Sequence, residues 1–217
     1  DFLIETAGLQ IGSKVLDLMC GYGRHALTLG RKGIDVTAID NLADYVDEVK
    51  EIAVKENLPV NCIKTDVTEY EPKEIFDLVI CLGNNLSFFN QEETETLFSM
   101  IGSHTKQGGM FIANTWTIAE IVFKNFTPNS WSEVNGFRYL VNSKIFFNPT
   151  RIEIETIVTP YKGKEERKTA VDYIYSLNEM ETILKNSGFG MKNIWSIPGK
   201  KKFTLGEPRA YIVAEKT

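Results

Sequence analysis

Three carboxylates and a pair of glycines carry the first chemical signal in this chain. Asp17, Gly21 and Gly23 fall within the run Val15-Leu16-Asp17-Leu18-Met19-Cys20-Gly21-Tyr22-Gly23-Arg24-His25, while Asp40 and Asp66 each follow a later apolar run. Glycine lets a backbone approach a ligand without a Cβ in the way, and a helix start offers free amide donors. A carboxylate at the end of the next strand can accept both hydroxyls of a ribose. Asp17 is the informative oddity, because it precedes the turn and lies inside the strand segment. A pyrophosphate would be repelled by a carboxylate there, whereas an ammonium or a cationic sulfur would be attracted.

These residues need a scaffold, and the periodicity supplies one. Leu3, Ile4 and Ala7 followed by Gly8 read as a helix end with its glycine cap. Short apolar strands are expected at Val15–Leu18, Val36–Ile39, Val60–Lys64, Phe76–Leu82 and Met110–Asn114. The helices between them span Ala26–Gly33, Tyr45 to about Asn57, and about Glu92–Thr105. The strand through Leu78-Val79-Ile80-Cys81-Leu82 is apolar without alternation, as a strand buried on both faces should be. Strands alternating with helices predict a doubly wound α/β domain. After about Thr127 the pattern changes to alternating polar and apolar residues. Phe137–Phe147, Arg151–Tyr161 and Arg167–Tyr175 predict a three-stranded antiparallel meander, with turns at Asn148-Pro149-Thr150 and Lys162-Gly163-Lys164-Glu165-Glu166. A helix opened by Ser176-Leu177-Asn178-Glu179 and strands near Lys192–Ile197 and Arg209–Glu215 complete the chain. This divides it into a core of residues 1–127 and 176–217 and a β insertion of residues 128–175.

Composition narrows the function. The chain has 217 residues, 43% hydrophobic and 24% charged, with a formal net charge of −5. That acidity argues against a sequence-independent grip on nucleic acid, and the basic cluster Lys200, Lys201 and Lys202 reads as a solvated loop. Cys20, Cys62 and Cys81 show no metal-binding spacing and cannot all pair, which favours a reducing compartment, the cytoplasm. His25 and His104 are too isolated to suggest a zinc site, so no metal is expected. No apolar stretch is long enough to span a membrane.

The pieces Asp17–Gly23, Asp40, Asp66-Val67 and Gly83-Asn84-Asn85 fall at the carboxyl ends of successive strands. In this arrangement the chain resembles the class I S-adenosylmethionine-dependent methyltransferases, from Leu9 to Lys216. The resemblance implies a Rossmann-like, mostly parallel sheet of seven strands with the last one antiparallel, and an antiparallel insertion over the acceptor site. It implies S-adenosyl-L-methionine as cofactor, with Asp17, Met19, Cys20, Gly21, Gly23 and Arg24 around its methionine part. Asp40 would hold the ribose, Asp66 and Val67 would lie by the adenine, Leu82 and Gly83 would border the methionine, and Asn41 would also contact the cofactor. A helical lid upstream of Asp1 is also implied. Met19 stands where the family usually has glycine, so an ordinary φ/ψ and a side chain near the ligand are expected there.

On the acceptor side, Asn84, Asn85 and Phe88 follow the fourth strand, and Tyr139 and Tyr175 lie on the meander. These five are the expected contacts for a small-molecule acceptor presenting nitrogen or oxygen. Methyl transfer needs in-line geometry and exclusion of water more than a catalytic triad, and no triad is found. Two other readings stand beside this one. Gly21 to Ala26 also fits the dinucleotide pattern G-x-G-x-x-A, which would make the chain an NAD(P)-dependent oxidoreductase. Asp17, Asp66, the meander and the C-terminal strand pair speak against that. A non-catalytic, cofactor-binding partner subunit is the other, and the intact set of ligand residues speaks against it. As plain structural roles, Asp17 or Asp66 could be helix caps, and Arg24 and His25 exposed helix-start residues.

Overall fold

The computed structural model describes residues 1–161 and 163–217; Lys162, in the charged turn, lies outside them. The first half alternates strand and helix: α1 (Phe2–Ala7), β1 (Lys14–Leu18), α2 (Arg24–Gly30), β2 (Asp35–Asp40), α3 (Ala43–Lys55), β3 (Val60–Lys64), β4 (Phe76–Cys81), α4 (Gln91–His104) and β5 (Thr105–Thr115). Then come α5 (Ala119–Asn125), β6 (Asn129–Val134), β7 (Phe137–Phe147), β8 (Thr150–Pro160), β9 (Glu166–Tyr173), α6 (Leu177–Asn186), β10 (Phe189–Ile197), β11 (Lys201–Lys202) and β12 (Ala210–Lys216).

The central sheet runs β11-β10-β12-β5-β4-β1-β2-β3. Strands β1 to β5 pair in parallel, and β12 lies antiparallel between β5 and β10. This is the doubly wound α/β fold expected, with the two-residue β11 added as an eighth strand. Side chains alternate across the sheet, so each strand feeds two cores. Leu16, Leu18, Val79, Phe111 and Ile212 pack with Phe98 and Ile101 of α4 and Ile183 and Leu184 of α6. Val15, Val36, Ala38, Ile80, Ile112 and Val213 pack with Leu27 of α2 and Val46 and Val49 of α3 on the other face. Asp17 points to this second side by the same alternation.

Helices α4 and α6 begin with reciprocal caps, Asn90 with Glu93 and Ser176 with Glu179, each satisfying two orphan amides of a first turn. Gly8 ends α1 in a left-handed conformation, as the sequence pattern requires. Strand β5 starts at Thr105, ahead of the expected Met110, and α5 has no counterpart in the sequence reading. Its seven residues are too few to establish a helical period.

The meander is a separate sheet of four strands, β6-β7-β8-β9. The extra strand β6 is exposed at every residue, so it carries no apolar alternation by which to recognise it. On β7 the odd-numbered side chains from Tyr139 to Ile145 are half-buried and the even-numbered ones exposed. The end of the meander is tied to the core where Ile118 and Tyr175 form a bridge. No helix of the described residues is long and apolar enough to cross a membrane.

Candidate active site

The loop after β1 is a series of left-handed residues. Met19 has φ 53°, Gly21 φ 55° and Gly23 φ 67°. The ordinary φ/ψ expected of Met19 is therefore wrong: the residue keeps the glycine conformation that the turn demands and carries a side chain in it. That costs about 1–2 kcal/mol, offset by contacts, since Met19 packs against the core cluster and its carbonyl accepts a hydrogen bond from Asn85 Nδ2 at 3.2 Å. Gly23 has no such freedom, because a Cβ there would lie 2.5 Å from Val49 Cγ2 of α3.

The loop closes onto the end of β2. Asp40 accepts the Gly21 amide at 2.9 Å through Oδ2 and the Leu42 amide at 3.0 Å through Oδ1. Between these elements lies a cavity of about 540 Å3 lined by Met19, Gly21, Asp40, Asn41, Tyr45 and Asp66, with Val67, Asn85 and Phe88 among its other walls. Asp66 starts a turn rather than a helix: its Oδ1 accepts the Thr68 amide and hydroxyl at 2.9 and 2.7 Å. These Thr68 bonds hold its carboxyl below the usual range.

Asp17 sits behind the loop, 2% exposed. Its Oδ2 is fully buried with no hydrogen-bond partner among the described residues. Burial pushes the carboxyl up to about 7, with the Ala26 amide of α2 pulling the other way and the Asp40 charge adding to the rise. An orphan of this kind is costly unless some state of the molecule supplies a partner. A cationic ligand group is such a partner.

The end of β4 makes the third wall. Gly83 (φ 121°) donates its amide to Asn114 Oδ1 at 2.6 Å. Asn84 (φ 68°) then spends its whole side chain internally. Its Nδ2 donates to Ser87 and Thr117, and its Oδ1 accepts from the Thr115 hydroxyl and the Trp116 and Thr117 amides. Residues Asn85–Phe88 form a 3-10 turn, in which Asn85 also donates to Leu82 O.

The sequence profile of the family described as "Methyltransferase domain" matches residues 15–109, the segment that builds this cavity. The chain is 31% identical over 119 residues to a ubiquinone biosynthesis O-methyltransferase of Rickettsia typhi, an alignment covering 53% of this chain and 47% of the relative. It is 30% identical over 107 residues to a probable S-adenosyl-L-methionine-dependent methyltransferase TehB of Haemophilus influenzae, covering 49% of this chain and 37% of the relative. The chain thus spans about half or less of these curated relatives. An S-adenosylmethionine-dependent methyltransferase from Clostridium acetobutylicum superposes with a TM-score of 0.84 over 99% of this chain and 89% of that one, at 17% identity. The CcbJ methyltransferase from Streptomyces caelestis superposes equally well, TM-score 0.84 over 100% and 87%, also at 17% identity.

Residues 15–109 carry the pattern of the methyltransferase-domain family, and the whole chain has the fold of the S-adenosylmethionine-dependent methyltransferases it superposes on.

Not every sequence-selected residue meets at one place. Met19, Gly21, Asp40, Asn41, Asp66, Val67, Asn85 and Phe88 share the cavity. Cys20 is not among its walls; its thiol donates to Gly21 O at 3.6 Å and is pushed up by the neighbouring Cys62 thiol and by burial. Arg24 and Leu82 line a second cavity of about 320 Å3 beside α1, together with His25. Burial holds His25 below the ordinary imidazole value, the nearby Arg24 charge adding to this.

Three residues expected on the acceptor side do not line the Met19–Asp40 cavity. Asn84 is 5% exposed and already fully bonded, so it has no group left for a ligand. Tyr175 donates to Phe89 O and meets the Thr94 hydroxyl, both at 3.0 Å, which makes it a tether for the start of α4. Tyr139 lies further out along β7 than Ser143, the β7 residue that lines a cavity against the core. At ordinary strand rise the two residues are about 13 Å apart. Conversely, sequence reasoning passed over Ile39, Leu42, Tyr45 and Thr65 in the Met19–Asp40 cavity. Tyr45 had a visible signal, since it opens α3 directly behind Asp40, but its place in the apolar period of the helix masked it.

Proposed function

We propose that this methyltransferase moves a methyl group from S-adenosylmethionine to a nitrogen or oxygen of a small molecule by in-line displacement. The observation that carries the reading is the orphaned carboxylate of Asp17 behind a cavity whose rim holds two more carboxylates, Asp40 and Asp66. This donor set suits a ligand with an ammonium, a sulfonium and a ribose, and suits a pyrophosphate poorly. Asp40 retains lone pairs for ribose hydroxyls beyond the two amides it accepts. Asp66, Asn41 and Val67 flank the adenine, and Tyr45 closes the outer wall. Gly83, Asn85 and Phe88 border the side on which the methyl group is presented, with the 128–175 insertion as a roof above the acceptor. Three free cysteines fit a reducing compartment, the cytoplasm.

Calorimetric titration of the purified chain with S-adenosylhomocysteine and, separately, with NADH tests this. Saturable binding of S-adenosylhomocysteine alone is the expected result. NADH binding without S-adenosylhomocysteine binding would make the protein a dehydrogenase-like reader of the same fold.

A further inference from the structure

A third cavity, of about 520 Å3, opens between α5, the inner face of the meander and the loop before β12. Its walls include Trp116, Ile121, Ile152, Ile154 and Arg209, and one carboxylate, Asp172 of β9. Asp172 stands in register with Ile152, which stands in register with Ile145, so it shares the inward, half-buried row of the sheet. An acid in an otherwise apolar row is out of place on packing grounds alone. No ion pair involves it among the described residues; Arg209, the other charged wall residue, lies over the Trp116 ring instead.

Asp172 is wired to the turn that borders the cofactor cavity. Ser87 Oγ lies 3.2 Å from Asp172 Oδ1 and 2.9 Å from Asn84 O, and it accepts from Asn84 Nδ2. The hydroxyl proton can point to Asp172 when that group is a carboxylate, or to Asn84 O when Asp172 is protonated and donates to Ser87. Both protonation states are hydrogen-bonded, which is what a group that gains and loses a proton requires. Burial raises the carboxyl, with the Ser87 bond opposing.

We infer that the Trp116–Asp172 cavity is the acceptor site, that the acceptor is an amine which enters as its ammonium form, and that Asp172 binds it and takes its proton. This rests on the methyltransferase reading and narrows its nitrogen-or-oxygen acceptor to nitrogen. The ammonium N–H bond breaks and the proton moves to the Asp172 carboxylate, leaving a neutral amine. The freed nitrogen lone pair forms the N–C bond as the C–S bond breaks, its electrons remaining on sulfur as a thioether. The methylated ammonium product leaves, and Asp172 returns its proton to solvent.

The test uses cyclohexylamine and its isosteric alcohol cyclohexanol as probes. Each is titrated into the S-adenosylhomocysteine-loaded chain, and methyl transfer from labelled S-adenosylmethionine to the amine is followed from pH 6 to 10. Wild type is expected to bind the amine at least tenfold more tightly than the alcohol. In Asp172→Asn, which keeps a hydrogen-bonding partner for Ser87, that preference should vanish, KM for the amine should rise at least tenfold and the rate should follow the free amine in solution. Asp172→Glu should restore part of the preference, and S-adenosylhomocysteine affinity should be unchanged in both variants. Equal binding of amine and alcohol by wild type, or a preference that survives in Asp172→Asn, overturns the proposal. Loss of S-adenosylhomocysteine binding by wild type would instead overturn the methyltransferase reading beneath it.

Discussion

Asp17 couples a proton to both folding and ligand binding. Its folded value of about 7 exceeds the unfolded value of roughly 3.9, so the native state holds more protons across that interval. Stability from this group is fully present below about pH 4 and is lost as pH rises towards 7. Asp17→Asn should therefore stabilise the ligand-free protein at pH 8 by about 1–3 kcal/mol, read by urea denaturation at pH 5 and 8. Cofactor binding has the opposite sign, because an ammonium prefers the carboxylate. Affinity for S-adenosylhomocysteine should strengthen between pH 6 and 8 in wild type and stay weak and flat in Asp17→Asn. A pH-independent wild-type affinity would show that the ligand does not reach Asp17. At Asp40, substitution by Ala removes the ribose contact together with the Gly21 and Leu42 amide bonds. A loss of at least ~1–3 kcal/mol in S-adenosylhomocysteine affinity is expected from calorimetry. Met19 offers a conformational test: Val is worse than Gly at φ 53°, because a β-branched side chain crowds a left-handed backbone. Met19→Val should be less stable than Met19→Gly by about 1–2 kcal/mol.

At the scale of elements, the turn after β4 holds two neighbouring asparagines with different jobs. Asn84 clamps the end of β4 to the end of β5 through buried bonds to Thr115, Trp116 and Thr117. Asn85 links the same turn to the glycine loop through Met19 O. Asn84→Ala leaves buried amides and a hydroxyl unpaired and should cost about 3–5 kcal/mol of stability. Asn85→Ala should cost less than about 1.5 kcal/mol but weaken S-adenosylhomocysteine binding. Chemical denaturation and titration of both variants check the pair; equal losses of stability would dissolve the distinction. From sequence the two residues looked alike, as a turn-forming Asn-Asn after an apolar strand. Their roles part because the left-handed backbone at Asn84 turns its side chain under β5 rather than towards the cavity.

At the scale of the whole molecule, the glycine loop, the β2 and β3 ends and the β4 turn meet around one cavity. A ligand there would add its own contacts to the bonds that already tie these elements together, Gly21 to Asp40 and Asn85 to Met19. At a hundredfold excess over Kd, S-adenosylhomocysteine should add about 2.7 kcal/mol of stability and raise the melting temperature by roughly 5–10 °C. Differential scanning calorimetry measures this, with NADH as the control expected to leave the transition in place.

The order of the α/β elements, the glycine loop and the three acidic strand ends were legible from the amino-acid sequence. Each is a local signal: an apolar run, a residue type that a turn requires, a carboxylate at a fixed distance from a strand. Asp17 in particular was recognisable as incompatible with a phosphate, because charge at a given strand position needs no neighbours to be interpreted. Tertiary structure alone decided that Asn84 and Tyr175 are internal ties, that Tyr139 lies outside the cavity walls, and that Asp172 faces a cavity next to Ser87, 85 positions away in sequence. Those outcomes depend on which hydrogen-bond partner arrives from a distant strand, and on the register between strands of the insertion. Local periodicity carries neither, so the cofactor half of the site could be read before the fold was known and the acceptor half could not.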